Sequence, residues 1–337
     1  MAILVCGGAG YIGSHNVRAL LDHGEEVVVL DNLWTGHRAA VPEAVKFYEG
    51  DVRDSALLDK VMASHPIEAV IHFCACSLVG ESVAKPLLYF NNNVGGMQSL
   101  LEAMQRNGPA GRGLCPVDKI VFSSSAAVYG EPKHVPILED DEKRPTNPYG
   151  ESKRMMELMM HWVSRRHGIR YVSLRYFNVA GAFHDGSMGE DHRNETHLVP
   201  LILQVPLGRR DHVAIYGDDY PTKDGTCIRD YVYIEDLAAG HLLALKYLRD
   251  GGESQIFNLG SGDGYSVMEM VSAAREATGR DIPVEVAPRR AGDPARLVAD
   301  SARARSVLGW QPKVTSMKDI IASAWRWHSS HPNGYPD

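Results

Sequence analysis

Cysteine is scarce in this chain of 337 residues: five thiols, Cys6, Cys74, Cys76, Cys115 and Cys227, odd in number and scattered. The pair Cys74-x-Cys76 lacks the two-residue spacer of a zinc or redox motif. Neither a disulfide framework nor a cysteine metal site follows, the thiols read as reduced core residues, and no metal is expected. Long apolar runs are also missing, since none reaches the ~18 residues of a membrane span. No charged n-region or cleavage pattern accompanies the opening strand-like AILVC, so no signal peptide is read and a cytoplasmic location is expected. Positive charge is in deficit, with 35 Lys and Arg against 42 Asp and Glu and a formal net charge of −7. A broad nucleic-acid surface wants the opposite balance, although a few local arginines suffice for an anionic ligand. Repeats, low-complexity tracts and an obvious linker are absent too. What remains is an ordinary globular composition, 44% hydrophobic and 23% charged, long enough for one large domain or two small ones.

The first half alternates short β-branched runs with helical patterns. Strands are expected at Ala2–Cys6, Val27–Asp31, Lys46–Glu49, Ala69–Cys74, Lys119–Ser124 and Tyr171–Phe177, and helices near 12–23, 54–64, 92–106 and 149–167. Continuously apolar strands alternating with helices imply a parallel sheet covered on both faces, an α/β doubly wound, Rossmann-like fold. After about Asn178 the texture becomes rich in Pro, Gly and Asp, as in GDDYPTKDGT. Residues 1–178 are therefore expected to form a nucleotide-binding domain and 179–337 a smaller α/β substrate domain, with segments near 231–260 packing back on the first.

GGAGYIGSH (7–15) follows the first expected strand and opens a helix. It fits two glycine templates, Gly8/Gly10/Gly13 and Gly7/Gly10/Gly13. Either lets backbone N–H groups and a helix start approach a pyrophosphate. Asp31 ends the second strand near the ~20-residue offset of an acid that binds a ribose 2′-hydroxyl. A carboxylate there repels a 2′-phosphate and no arginine follows directly, so NAD is favoured over NADP. A second cluster, GSGDGYSV (260–267), has no such acid after it. It reads as a turn and a helix start, with Ser266 and Glu269 as a capping box.

Tyr149-Gly-Glu-Ser-Lys153 sits at a helix start behind Pro148. Residues four apart share a helix face, and a neighbouring ammonium is expected to lower the tyrosine pKa. Such a pair can move a proton from an alcohol as hydride leaves the same carbon. Tyr129 and Lys133 share the spacing, but Gly130 and Pro132 disfavour a helix there. Upstream, KIVFSSSAAVYG ends a strand with three serines, where a hydroxyl can relay a substrate proton to Tyr149.

Together these residues resemble the extended short-chain dehydrogenase/reductase group, whose seven-residue template makes Gly7, Gly10 and Gly13 the informative glycines. LDNLWTGHR, GDVRD, SSSAAVYG, NPYGESK, LRYFNVAG, GDDYPTKDGTCIRDYVYIEDLA, NLGSG and HPNGYPD extend the resemblance nearly end to end, to the UDP-galactose 4-epimerase family. The resemblance implies a retained NAD that takes hydride from C4 of the sugar, a 4-keto intermediate that turns over in the pocket, and return of hydride on the other face. It implies Ser125, Tyr149 and Lys153 as catalytic residues. It implies Gly7, Gly10, Tyr11, Ile12, Gly13, Asp31, Asn32, Asp51, Val52, Phe73, Asn92, Ser123 and Tyr176 at the cofactor. Asn178, Leu198, Tyr216, Arg229, Arg290, Asp293 and Leu297 would hold the UDP-sugar. Guanidinium groups at 229 and 290 suit phosphate oxygens.

Nucleotide-sugar dehydratases resemble the chain up to the serines but carry Asp-Glu where Ala126 and Ala127 stand, so dehydration lacks its acid–base pair. Ser77 stands where some family members have Lys. Cys74 and Cys76 fall beside the expected nicotinamide, and mild sensitivity to thiol reagents is expected. Leu297 falls where some members carry a bulky Tyr at the sugar pocket. UDP-glucose and UDP-galactose are the expected pair, with UDP-N-acetylhexosamines or UDP-pentoses as the alternative. A sensor that binds NAD or a nucleotide sugar without turnover would not need Tyr149, Lys153 and Ser125. On the 149–167 helix, Arg154, Glu157, His161 and Ser164 form a narrow polar stripe among Met, Leu, Trp and Val, so a homodimer is expected.

Overall fold

A computed structural model describes residues 1–107, 116–290 and 293–336. Cys115 lies outside the described residues. The parallel strands β1 (Ala2–Cys6), β2 (Glu26–Asp31), β3 (Lys46–Glu49), β4 (Ile67–His72), β5 (Lys119–Ser123) and β6 (Arg170–Tyr176) form one sheet with the strand Gln255–Leu259, in the order Gln255–Leu259, β6, β5, β4, β1, β2, β3. The apolar runs fold this way because both sheet faces are covered. Alternation along β1 sends Ile3 and Val5 to one core with Val29, Ile71 and Val172. It sends Leu4 and Cys6 to the other, with Val28, Val70 and Phe122. Helix α1 (Tyr11–Asp22) and the helix Ile234–Arg249 close the first face through Val17, Leu20, Leu237 and Leu245. Helix α2 (Ser55–Ser64) and the helices Gly96–Arg106 and Pro148–His167 close the second through Leu58, Leu100 and Met156.

Local signals set the boundaries. Asp54 accepts the Leu57 N–H at 3.0 Å and starts α2. Asn147 accepts the Gly150 N–H at 2.9 Å, Pro148 takes the first helical position, and Gly168 at φ +73 ends that helix. The expected helix near 92 differs: Phe90–Gly95 is a π-helical turn before the α-helix begins at Gly96. The wider turn carries Asn92 and Asn93 into the interior.

The remaining chain forms small sheets. Val213–Tyr216 pairs with Val284–Ala287, Asn178–Ala180 with Tyr231–Tyr233, and Ile228–Arg229 lies between Tyr265–Ser266 and Arg296–Leu297. Ile202, Leu203, Met270, Val271, Ile320 and Ile321 form their core. The second glycine cluster is a turn whose N–H groups are consumed. The Asp230 carboxylate, fully buried, accepts from Ser261 N at 2.7 Å, Gly262 N at 3.2 Å and Ala299 N at 3.0 Å. The Ser266–Glu269 capping box forms beside it.

The polar stripe of the long helix does not face solvent as a unit, because Glu157 is 5% exposed while Met155, Leu158 and Trp162 are 37%, 48% and 64% exposed. Glu157 turns inward because Arg175 of β6 waits there as a buried counter-ion, with Nη2–Oε2 2.6 Å and Nε–Oε1 2.9 Å. Among the described residues no helix is long and apolar enough to cross a membrane.

Candidate functional site

The strand order reverses between β1 and β4, and a cavity of about 530 Å³ opens at the carboxyl ends of the strands there. This is where doubly wound sheets bind ligands, and the volume falls in the range of small-molecule sites. Its floor is the glycine turn. A Cβ on Gly13 would lie 2.0 Å from the Gly7 carbonyl oxygen, and one on Gly7, at φ +81, would lie 2.8 Å from the backbone of Phe73. These glycines let the turn press against the end of β4. Gly10 meets only the Gly7 oxygen, at 3.6 Å, and has no side-chain cap to offer, so the start of α1 stays open toward the cavity. Gly7, Gly10, Tyr11, Ile12 and Gly13 all line it. An uncapped helix N-terminus on a cavity wall is an anion site, and the donor set fits a dinucleotide pyrophosphate.

Asp31 is 6% exposed, and its carboxylate accepts the N–H groups of Ala9 at 2.9 Å and Leu33 at 2.8 Å. Burial raises its pKa, opposed by those two bonds. The carboxylate thus fastens the glycine turn to the end of β2 and retains lone pairs for a further donor. Asp51 is held by Arg53, with Nη2–Oδ2 2.6 Å, and by Asn32 at 3.2 Å, which brings its pKa down to about 2. Val52 and Asn92 are buried beneath the surface, while Phe73, Ser123 and Tyr176 line the cavity. The Ser123 and Tyr176 hydroxyls bond each other.

Ser125, Tyr149 and Lys153 line the cavity together. Ser125 lies two residues beyond the end of β5 and Tyr149 opens the Pro148–His167 helix, which brings the serine side chain to act on the phenol. Lys153 Nζ donates to the Ser123 carbonyl oxygen at 2.6 Å and lies 5.8 Å from the Tyr149 ring centroid and 4.9 Å from that of Phe122. The expected lowering of the tyrosine pKa by lysine is not found. Burial raises Tyr149, with the Ser125 bond alone opposing it, and burial pushes Lys153 down to about 7. Desolvation penalises the charged form of each, and the charges that oppose it at Lys153 are Glu157, Cys74 and Cys76, not the Tyr149 phenol. His72, sealed at the end of β4 without a hydrogen-bond partner, is pushed down to about 3 by burial and then by Lys153, and so stays neutral.

Tyr129 is the structural residue that the backbone signals imply: buried, it donates to Asn258 Oδ1 at 2.6 Å and accepts from Arg175 at 2.9 Å. Asn93 was missed in the sequence reading. Its side chain accepts from Cys76 N at 2.8 Å and donates to Ser152 Oγ at 2.9 Å, tying the loop after β4 to the Tyr149 helix. The irregular helical turn that aims it has no local signature in the sequence.

The substrate-side residues divide. Asn178, Leu198, Asp293 and Leu297 line the cavity. Leu297 also packs on Ala126, Val128 and Tyr129, so it is core and wall at once. Tyr216, Arg229 and Arg290 are not among the lining residues. Arg229 donates to Pro294 O at 2.8 Å and lies 3.5 Å from Asp293, and the Arg290 guanidinium sits 3.9 Å over the Tyr216 ring.

Ala75 and Ser77 reach the cavity, whereas Cys74 and Cys76 do not line it. The Cys74 thiol is raised by its bond to Cys6 and by burial, and burial pushes Cys76 up to about 11. The thiolate is the reactive form, so the expected thiol sensitivity is revised. Iodoacetamide at pH 7 is expected to leave turnover unchanged during an incubation that alkylates a free thiol standard. Rapid inactivation with adducts mapped to Cys74 or Cys76 would contradict this.

The match to known proteins follows this geometry. Residues 3–260 fit the model of the NAD dependent epimerase/dehydratase family. The chain belongs to that family. It is 58% identical over 339 aligned residues to a UDP-glucose 4-epimerase of Streptococcus mutans, covering 100% of this chain and 99% of that protein. A crystal structure of a UDP-glucose 4-epimerase superposes with a TM-score of 0.96 at 56% identity, covering both chains completely. The Bifidobacterium longum UDP-glucose 4-epimerase, crystallised with NAD+ and UDP, gives 0.91 at 40% identity over 99% of this chain and 100% of that one.

Proposed function

We infer that the protein is an NAD-dependent 4-epimerase that interconverts UDP-glucose and UDP-galactose through a 4-keto sugar. The observation that carries this reading is one cavity that joins an open phosphate-binding helix start to the Tyr149–Ser125 pair. Residues 1–178 hold the cofactor and 179–337 the nucleotide sugar. The glycine turn and the start of α1 receive the pyrophosphate, Asp31 a ribose hydroxyl, and Asn32, Asp51, Val52, Phe73, Asn92, Ser123 and Tyr176 frame the rest. Bound NAD supplies a reversible two-electron acceptor. Tyr149 takes the O4 proton and returns it, Ser125 passes it between sugar and phenol, and Lys153, anchored on the Ser123 carbonyl, stands beside the ring. Ala126 and Ala127 form the adjoining wall and offer no acid for loss of water. Asn178, Leu198 and Asp293 grip the nucleotide. Arg229 and Arg290 exchange their present partners for phosphates, and Tyr216 stacks on uracil.

The direct test is incubation of purified protein with UDP-galactose, UDP-N-acetylgalactosamine or UDP-arabinose, followed by product identification. Conversion of UDP-galactose to UDP-glucose without net NADH is expected; stoichiometric NADH release would replace the reading by simple oxidation. Leu297 sets the room for the 2-substituent. Leu297→Tyr is expected to abolish any UDP-N-acetylgalactosamine turnover while sparing UDP-galactose, and unchanged N-acetylhexosamine turnover in the variant would show that this position is no gate.

The exposed Met155, Leu158 and Trp162, with Val83 and Leu87 exposed on short helices packed against the same long helix, support a homodimer. Light scattering that returns a monomer mass at micromolar protein would remove that assignment. The described cysteines are free thiols, the state that a reducing compartment maintains, which supports a cytoplasmic location.

A further inference from the structure

The loop that precedes the helix Leu198–Gln204 carries Glu190, His192, Glu195 and His197 within eight residues. The four side chains converge, so that one donor atom from each lies within 4.8 Å of the others. His192 Nδ1 is 3.4 Å from Glu190 Oε1 and 3.4 Å from Glu195 Oε2, and His197 Nδ1 is 2.5 Å from Glu190 Oε1 and 3.6 Å from Glu195 Oε1. A tetrahedral cation with bonds of ~2.0–2.1 Å separates its ligands by roughly 3.3–3.4 Å. His192 stands near that value from one oxygen of each glutamate, while His197 is hydrogen-bonded to Glu190 at 2.5 Å and gives up that bond when an ion enters.

The site is built rather than accidental. The Glu190 side chain is 4% exposed and its backbone carbonyl accepts the Trp327 indole N–H at 3.2 Å. Glu195 Oε1 accepts the N–H groups of Thr196 and His197, both at 2.7 Å, which leaves Oε2 turned to His192. Asp191, between the first two members, is tied to His37 through its carbonyl at 3.1 Å and to the Tyr335 N–H through its carboxylate at 2.9 Å. Among the described residues, the ion partners of both carboxylates are these two imidazoles, and neither is paired with Lys or Arg. Two carboxylates paired with no Lys or Arg among the described residues match the charge of one divalent ion once the imidazoles release their protons, and two imidazole nitrogens favour a borderline metal over calcium or magnesium.

We propose that Glu190, His192, Glu195 and His197 bind one divalent transition-metal ion of the zinc class. Four protein ligands leave no open position, which marks a structural site and not a reacting centre. The ion clamps the loop to the start of the next helix and so fixes Leu198 on the wall of the cavity that Glu190, His192 and His197 also line. This inference is independent of the epimerase reading and stands against the expectation, drawn from the cysteines, that the protein holds no metal.

The test uses the full-length protein, stripped with dipicolinate and titrated with Zn2+ against a chromophoric chelator, with thermal unfolding followed in parallel. One equivalent of Zn2+ per chain and a higher unfolding temperature with the metal are expected. His192→Ala and Glu195→Gln should each weaken binding by more than the ~10–100-fold that loss of an outer-shell partner costs. Should either variant fail to fold, the wild-type stoichiometry decides. Less than one tight site in the wild type, or equal affinity in wild type and folded variants, overturns the proposal. Because the readouts are metal content and unfolding, either result leaves the assignment of the reaction untouched.

Discussion

Tyr149→Phe is expected to lower turnover of UDP-galactose by about 10²–10⁴-fold, the range that positioned acid–base groups supply, with NAD still bound. The hydroxyl is the only group of Tyr149 that the change removes, and the ring that lines the cavity stays. Ser125 cannot take over, because a serine hydroxyl is a far weaker acid than a phenol and its oxygen already accepts the Ala127 N–H at 3.1 Å. Lys153 is held on the Ser123 carbonyl at 2.6 Å. The KM should change little, since the lost interaction acts on the proton in flight. The check is steady-state kinetics alongside release of NAD by denaturation. Turnover within a few-fold of the parent, with cofactor retained, would take Tyr149 out of the mechanism.

Glu157→Gln should cost about 3–5 kcal/mol of stability, because it leaves a buried charge uncompensated. Arg175 and Glu157 have side chains 1% and 6% exposed and share two hydrogen bonds, and Ser124 Oγ adds a third to Glu157 at 2.6 Å. Arg175 continues the network to Tyr129 at 2.9 Å and to the Glu139 carbonyl at 3.0 Å. One side chain thus joins the end of β5, the long helix and β6 directly behind the serines. Urea unfolding measures the loss. Replacing both partners by apolar residues, as in Glu157→Leu with Arg175→Met, should destabilise less than Glu157→Gln alone, since no orphaned charge remains. A single variant as stable as the parent would show that the pair contributes nothing.

Much of the first half was legible because its signals are local. Apolar runs, helix caps at Asp54 and Asn147, and the glycine turn depend on neighbours within a few residues, and the expected strands lie within a few residues of the observed ones. Residues at strand ends, Phe73, Ser125 and Tyr176, reached the cavity because a parallel sheet gathers those ends together. Asn93 escaped because an irregular helical turn reverses which residues face inward. The Glu190–His197 cluster escaped for a different reason: its spacing is visible, but in a polar loop the same residues read as solvated until a fold presses them together.

The sequence by itself determined the layered fold, the glycine turn and the four-residue spacing of Tyr149 and Lys153 at a helix start, since each rests on short-range geometry, while the resemblance picked Ser125 from three serines. Only the tertiary structure decided which groups carry charge and which way they face. It turned Glu157 inward to meet Arg175, lowered Lys153 instead of Tyr149, tied Arg229 to Asp293, and drew two glutamates and two histidines around one point. Desolvation and pairing are set by everything that surrounds a residue, and most of that surrounding comes from distant parts of the chain.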